Sequence, residues 1–189
     1  KAAIQAINNG DTKYTAVDGT PELKNAIKEK FKRENNIDYE LNEISVGTGG
    51  KQIIFNAFAV SLNVSDEVII PAPYWVTYPD VVNYFHGTPI FVQCGEESGF
   101  KITPQQLENT INQSTQWFIL NSPSNPTGSC YTKNELLELA HVLKKHPHVN
   151  IMTDDLYEHL IYDDNEFHTF ASIATELKDR KLTLNGEIK

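Results

Sequence analysis

The sequence predicts an α/β fold in which a mostly parallel sheet lies between two layers of helices. Short β-rich runs alternate with amphipathic helical patterns along the 189 residues, and this alternation is typical of parallel strands joined by helices. The 40% hydrophobic content is enough for one sizeable core. We therefore expect a three-layer arrangement with binding loops at the carboxyl ends of the strands.

The predicted strands are short runs enriched in residues that favour β-structure. In chain order they are 44–46, 67–70, 89–92, 116–120, 149–152 and 182–184. Helical patterns separate them, and several helix starts carry recognisable capping residues. Thr20 and Thr103 each precede a proline, and Thr132 with Glu135 forms a capping-box pattern. These signals predict helices that begin near residues 21, 104 and 132.

The composition argues against several classes of partner. The formal net charge is -9, whereas a surface for nucleic acid or an anionic membrane needs clustered Lys and Arg. The sequence contains no run of roughly 20 apolar residues and no signal-peptide pattern at its start. Cys94 and Cys130 lack the spacing of a metal site or a disulfide framework. We expect a cytoplasmic protein with reduced thiols and small-molecule partners.

A glycine-rich loop, Gly47-Thr48-Gly49-Gly50-Lys51, stands between a predicted strand and a predicted helix. Glycines at such a place let backbone N–H groups bind an anion at the helix N-terminus. The glycine spacing matches neither a Walker loop nor a dinucleotide-binding fingerprint. The residues alone leave a tight turn and a phosphate site as alternatives.

Two further loops follow predicted strands. Residues 121–128 (Asn-Ser-Pro-Ser-Asn-Pro-Thr-Gly) contain two prolines that restrict the backbone, so Asn125 could present its amide to a ligand from a fixed position. Residues 153–159 contain Asp154 and Tyr157 three positions apart. A helical turn at that spacing would place both on one face, although an Asp there is also common as a plain helix cap.

Together these motifs resemble those of class I aminotransferases, fold-type-I enzymes that use pyridoxal 5'-phosphate, and the aspartate aminotransferases in particular. The resemblance extends from Tyr14 to Asn185-Gly186. It implies that Asp154 faces the pyridine nitrogen of the cofactor, and that Asn125 and Tyr157 hydrogen-bond the ring hydroxyl. A carboxylate beside the ring nitrogen favours the protonated, electron-withdrawing ring.

The same resemblance assigns roles to a second group of residues. Trp75, within the aromatic segment 71–79, is expected to stack on the pyridoxal ring, with a place in the core as the alternative. Tyr74 and Tyr78 of the same segment are expected to lie in the core. Gly49 and Gly50 are expected to bind the cofactor together with Lys51. Lys51 would also lie near the distal carboxylate of an acidic substrate, with a solvated surface lysine as the alternative. The expected substrate contacts are Lys51, Trp75 and Asn125.

Two residues near the ends of the chain complete the implied site. Tyr14 is expected to reach the cofactor phosphate of the other subunit, which implies a homodimer. Lys189 follows Asn185-Gly186 at the family's spacing for the lysine that forms a Schiff base with the cofactor. Glu187-Ile188 departs from the small residues that usually precede this lysine, so a plain charged terminal residue is the alternative. The expected catalytic residues are Lys189, Asp154 and Tyr157, and the histidine spacing predicts no metal site.

The resemblance implies transfer of an amino group from aspartate, or a similar amino acid, to 2-oxoglutarate. Amino acids and 2-oxo acids would be the substrates. The alternatives are an aromatic or prephenate aminotransferase, a carbon–sulfur lyase of the same fold, and a non-catalytic piece that binds cofactor or dimerises. Residues 1–189 are expected to be part of the large, cofactor-binding domain, with the small domain and the C-terminal half absent. We expect the isolated chain to have little or no activity.

Overall fold

The computed structural model describes residues 1–186 and divides into two compact units, Lys1–Gly47 and Thr48–Lys189. The first unit contains helices α1 (Ala2–Asn8) and α2 (Pro21–Asn35) and a 3-10 turn, Leu41–Glu43. The predicted cap of α2 is confirmed, because Thr20 Oγ1 accepts a hydrogen bond from the N–H of Leu23 at 3.3 Å.

The predicted strand at residues 44–46 is wrong. Ile44 has extended backbone angles, but residues 44–47 are assigned to no strand. The N–H of Val46 donates instead to the carbonyl of Asp18 at 2.9 Å. A β-branched pattern favours an extended backbone, whereas a strand also needs a neighbouring ladder that the pattern cannot supply. Close to this contact, Gly19 has φ +107°, and a Cβ there would lie 2.7 Å from Val46 Cγ2, so a side chain is excluded.

The second unit is built around the sheet. Its strands are β1 (Glu67–Ala72), β2 (Thr88–Gln93), β3 (Thr115–Asn121), β4 (Asn150–Asp154) and β5 (Lys181–Leu184). Its helices are α3 (Gly50–Ser61), α4 (Thr77–Tyr84), α5 (Pro104–Thr110), α6 (Lys133–Lys144) and α7 (Phe170–Ile173), with 3-10 turns at Glu96–Ser98 and Thr175–Arg180.

Within the described residues the five strands pair in the order β2-β1-β3-β4-β5, and every pair is parallel. The predicted α/β sheet flanked by helices is therefore confirmed, with a parallel direction throughout the described strands. The predicted capping box at the start of α6 is also present: Thr132 Oγ1 accepts from the N–H of Glu135, whose carboxylate accepts from the N–H of Thr132.

Side chains alternate between two hydrophobic clusters, one on each face of the sheet. One face carries Ile69, Phe118 and Ile151, which pack with buried residues of α5, α6 and α7. The other carries Ile70 and Met152 among others, which pack with buried residues of α3 and α4. This period of two places the helices in separate layers. Among residues 1–186, no helix is both long enough and apolar enough to cross a membrane.

Candidate functional site

The carboxyl ends of β3, β4 and β5 meet at one edge of the sheet. In the strand register Asn121 pairs with Asp154, and Asp154 pairs with Leu184. The side-chain amide of Asn121 donates to the carbonyl oxygen of Asp154 at 2.9 Å, which ties the ends of β3 and β4 together. Binding residues of parallel sheets characteristically lie at this edge. The structure therefore places Asp154 where the sequence predicted a site.

The Asp154 carboxylate is buried and hydrogen-bonded through both oxygens. Its side chain is on the α4 side of the sheet, where the hydroxyl of Tyr78 donates to Oδ2 at 2.6 Å, and the N–H of Leu156 donates to Oδ1 at 3.3 Å. Burial raises the pKa of Asp154, while the donors Tyr78 and Leu156 act in the opposite direction. The two donors thus favour the ionised form of this buried carboxylate and oppose the effect of burial.

Trp75 lies just before α4 and is linked to this carboxylate through Tyr78. The rings of Trp75 and Tyr78 meet edge to face, with centroids 5.5 Å apart and an interplanar angle of 89°. The ammonium of Lys51 lies 5.3 Å from the centre of the Trp75 ring, within the range of a cation–π contact. The three predicted site residues Lys51, Trp75 and Asp154 are therefore joined in one cluster.

The loop after β3 holds Asn125 by hydrogen bonds at the base of the loop. The N–H of Asn125 donates to Oδ1 of Asn121 at 2.7 Å, and the N–H of Gly128 donates to the carbonyl of Ser124 at 2.8 Å. The side-chain amide of Asn125 lies 3.5 Å from the hydroxyl of Tyr157. A cavity beside the loop is lined partly by Asn121, Asn125 and Tyr78. The predicted partners Asn125 and Tyr157 therefore meet at the edge that carries Asp154.

Tyr157 reaches this position without the helix that its spacing suggested. β4 ends at Asp154, and the following residues form turns, with the N–H of Leu160 donating to the carbonyl of Tyr157 at 2.8 Å. The expectation that a helical turn would place Asp154 and Tyr157 on one face is wrong. The two residues lie close together because the chain turns back directly after the strand.

The glycine-rich loop leads directly into α3. Gly49 has φ +82°, a left-handed conformation that favours glycine, and α3 begins at Gly50, inside the glycine-rich loop. A Cβ on Gly50 would lie 3.4 Å from the side chain of Leu184, the last residue of β5. The N-terminus of α3 therefore lies beside the strand edge that carries Asp154, in a position where its free N–H groups suit an anion.

The structure does not test the predictions for Tyr14 and Lys189. Tyr14 belongs to the first unit, where its side chain is fully exposed. Lys189 lies outside the described residues. Tyr78, by contrast, was assigned by its pattern to the core only. It is buried as expected, but its partner is 76 positions away in sequence, and no local pattern could reveal that contact.

The family model for class I and II aminotransferases matches residues 1–186. The chain belongs to this family. The "probable aspartate/prephenate aminotransferase" of Rickettsia felis is 59% identical over 189 residues, which are 100% of this chain and 46% of that protein. The aspartate aminotransferase of Rhizobium meliloti is 54% identical over 100% of this chain and 46% of that protein.

Solved aminotransferase structures show the same fold. The crystal structure of the Rhizobium meliloti aspartate aminotransferase aligns with a TM-score of 0.96 at 53% identity, over 98% of this chain and 46% of that one. The Thermus thermophilus aspartate aminotransferase with maleate aligns with a TM-score of 0.93 at 39% identity, over 100% of this chain and 48% of that one. The chain thus spans about half the length of the curated relatives it matches.

Proposed function

We propose that the protein carrying this chain transfers an amino group from aspartate, or a similar amino acid, to 2-oxoglutarate, with pyridoxal 5'-phosphate as its cofactor. The observation that carries the proposal is the buried Asp154 carboxylate at the carboxyl edge of the sheet, held by donors on both oxygens. Burying a charged carboxylate costs free energy unless a positively charged group pairs with it. The pyridinium nitrogen of the cofactor is a partner of that kind.

The residues at this edge fit the polar groups of the cofactor. Pyridoxal phosphate, when bound, supplies a protonated ring that withdraws electrons from the substrate α-carbon. Asp154 would keep the ring nitrogen protonated, and Asn125 and Tyr157 would hydrogen-bond the ring hydroxyl. The N–H groups at Gly49 and Gly50 would bind the phosphate, and Trp75 would cover the ring and exclude water.

Lys51 supports an acidic substrate. Its ammonium lies near the Trp75 ring, so a dicarboxylate substrate bound against that ring would meet a positive charge. Prephenate is a second candidate substrate. It is favoured by relatives such as the aspartate/prephenate aminotransferase of Cereibacter sphaeroides, which is 60% identical over 188 residues. A carbon–sulfur lyase and a non-catalytic piece stay as alternatives for the assay to test.

Other parts of the proposal stay predictions. These are the homodimer in which Tyr14 reaches the other subunit's cofactor phosphate, the cytoplasmic location, and Lys189 as the residue that carries the cofactor and moves the α-proton. The assignment of residues 1–189 to part of a large cofactor-binding domain is a proposal of the same kind.

The test combines cofactor labelling with an activity assay. Titration with pyridoxal phosphate, borohydride reduction and peptide mapping should label one lysine, expected at Lys189. The protein that carries this chain should form glutamate from aspartate and 2-oxoglutarate, and prephenate should be tried as an alternative amino acceptor. Cofactor labelling without amino transfer would favour a lyase or a non-catalytic role. Robust activity of residues 1–189 alone would contradict the view that this chain is one part of the enzyme.

A further inference from the structure

Tyr78 connects two predicted site residues that are far apart in sequence. It is 2% exposed and lies in the first turn of α4. Its hydroxyl donates to Asp154 Oδ2 at 2.6 Å. Its ring contacts the Trp75 ring edge to face, and its N–H donates to the Trp75 carbonyl at 3.1 Å. A displacement of Tyr78 would therefore move both Asp154 and Trp75.

We propose that Tyr78 is the positioning residue that orients Asp154 toward the ring nitrogen of the cofactor and fixes Trp75 over the ring. This inference rests on the proposed function and assigns to that site a residue that the sequence motifs left in the core. Tyr78 would act through Asp154 and Trp75, without itself touching the reacting atoms.

The geometry gives the hydroxyl a clear direction. Asp154 Oδ2 can only accept when ionised, so Tyr78 is the donor in the short Oη to Oδ2 contact. The titratable groups around the pair are Tyr78 itself from α4, and Asp155 and Tyr157 from the segment after β4. Burial and the nearby Asp154 raise the pKa of Tyr78 well above its ordinary value. Tyr78 therefore keeps its proton and stays a donor at any physiological pH.

The same hydrogen bond limits rotation of the carboxylate. With Oδ2 held by Tyr78 and Oδ1 held by the N–H of Leu156, Asp154 is fixed by groups from two separate elements. A catalytic group whose own orientation is locked in this way needs less reorganisation when it works. Loss of the Tyr78 hydroxyl would leave Oδ2 without the donor that favours its charge.

The alternative is that Tyr78 is an aromatic residue of the core whose hydroxyl has no effect on the site. A Tyr78→Phe variant separates the two readings because it keeps the ring and removes only the hydroxyl. The matched control is Tyr74→Phe. Tyr74 lies in the same segment, and its ring stacks on Phe91 with centroids 4.9 Å apart.

The experiment measures the charge state of Asp154 directly and then its consequence for the cofactor. In the cofactor-free protein carrying this chain, carboxyl ¹³C NMR should show that Tyr78→Phe raises the proton affinity of Asp154 roughly tenfold, as expected for loss of one hydrogen bond to a charged group. With pyridoxal phosphate bound, the pH titration of the cofactor absorbance should shift. We expect kcat to fall about tenfold with little change in the KM for aspartate, while Tyr74→Phe leaves these readouts unchanged.

A double-mutant cycle distinguishes positioning from packing. In an Asp154→Asn background the further change Tyr78→Phe should alter kcat by less than about twofold, since the carboxylate through which Tyr78 acts is gone. An equal effect of Tyr78→Phe in both backgrounds would overturn the proposal, as would an unchanged Asp154 titration. Failure of the wild-type protein to bind pyridoxal phosphate would instead contradict the proposed function. The two failures can be distinguished because the NMR titration in cofactor-free protein tests the Tyr78 contact independently.

Discussion

Asp154 and Asp155 are adjacent in sequence and both buried, yet they lie against different layers of the second unit. Asp154 contacts Tyr78 of α4, whereas Asp155 Oδ1 accepts a hydrogen bond from the hydroxyl of Thr153 at 2.6 Å, and Thr169, the cap of α7, helps to lower the pKa of Asp155 against the effect of burial. Asp154 has donors on both oxygens, while Oδ2 of Asp155 has no hydrogen-bond partner among the described residues. Two carboxyl groups that are adjacent in sequence can thus differ in which layer contacts them and in how fully they are hydrogen-bonded.

The two layers use their other polar groups differently as well. Beside α6, the guanidinium of Arg180 donates to the backbone carbonyls of Leu143 at 2.6 Å, His146 at 3.1 Å and Val149. Lys181 donates to the carbonyl of Ala171 within α7 and to that of Ala174 just after it. On the α3 and α4 side, the hydroxyl of Tyr78 and the ammonium of Lys51 contact side chains of the candidate site. The polar groups beside α6 and α7 therefore stabilise the backbone, whereas those on the α3 and α4 side belong to the candidate site.

The largest expected effect concerns Asp154. Asp154→Asn keeps the shape of the side chain but removes the charge proposed to face the ring nitrogen, so kcat for amino transfer should fall roughly 10²- to 10³-fold. The free energy of unfolding should change by no more than about 1 kcal/mol. Steady-state assays and urea unfolding check both numbers, with exposed Asp164→Asn as the control. Near wild-type turnover would contradict the role of Asp154.

The next effect is structural and belongs to the opposite layer. Arg180→Met should lower the free energy of unfolding by about 2 kcal/mol, because it leaves carbonyls at the end of α6 without their donor. Turnover per folded molecule should stay near the wild-type value. Chemical denaturation and an active-site titration measure the two quantities. Arg33→Met on the exposed surface of α2 is the matched control, and equal destabilisation by both changes would argue against a special role for Arg180.

A smaller effect sharpens the assignment of substrate. Lys51→Ala should raise the KM for aspartate about tenfold, the loss expected for one favourable charge contact. The KM for an amino donor with an apolar side chain should not change. Lys133→Ala, an exposed lysine at the start of α6, serves as the comparison. If the KM rises equally for both amino donors, Lys51 supports the Trp75 ring rather than binding the distal carboxylate.

The smallest expected effect is pH-dependent and belongs to Asp155. Burial raises the pKa of Asp155 from its ordinary value of 3.8 to about 7. Between about pH 4 and pH 7 the folded state therefore holds a proton that the unfolded state releases, and stability falls as the pH rises through this window. Asp155→Asn should raise the free energy of unfolding by about 1 kcal/mol or more at pH 8. It should change it little at pH 4.5.

Urea unfolding at both pH values measures this difference. Asp164→Asn again provides the control, since an exposed carboxyl has no burial to relieve. An equal change at pH 4.5 and pH 8 would show that the effect of Asp155→Asn does not come from its ionisation.

Local signals predicted much of the fold. The capping box of Thr132 and Glu135 marked the start of α6, and the β-rich runs from residue 67 onward became parallel strands. Residues 44–46 had the same composition without becoming a strand, because strand formation depends on a neighbour that lies elsewhere in the chain. The turn that carries Tyr157 could not be predicted either, because the three-residue spacing between Asp154 and Tyr157 fits a helix equally well.

The site was predictable only as far as its residues follow strand ends. Asp154 and Asn125 stand directly after buried strands, so their meeting at one edge follows from parallel topology, and their roles come from the family resemblance. Tyr78 was predicted to be a core residue because the sequence pattern indicates burial of its ring but not the partner of its hydroxyl. Its hydroxyl acquires a partner only through tertiary packing across the sheet.

The hydrogen bond between Tyr78 and Asp154 has a consequence for the order in which the molecule folds. It closes a loop of 76 positions, and β2, β3, α5, α6 and β4 all lie within that loop. Contacts of such long range form late, because the chain entropy of closing them must first be offset by shorter-range structure. A partly folded chain would therefore lack an oriented Asp154. Cofactor capture would then follow the packing of α4 against the end of β4.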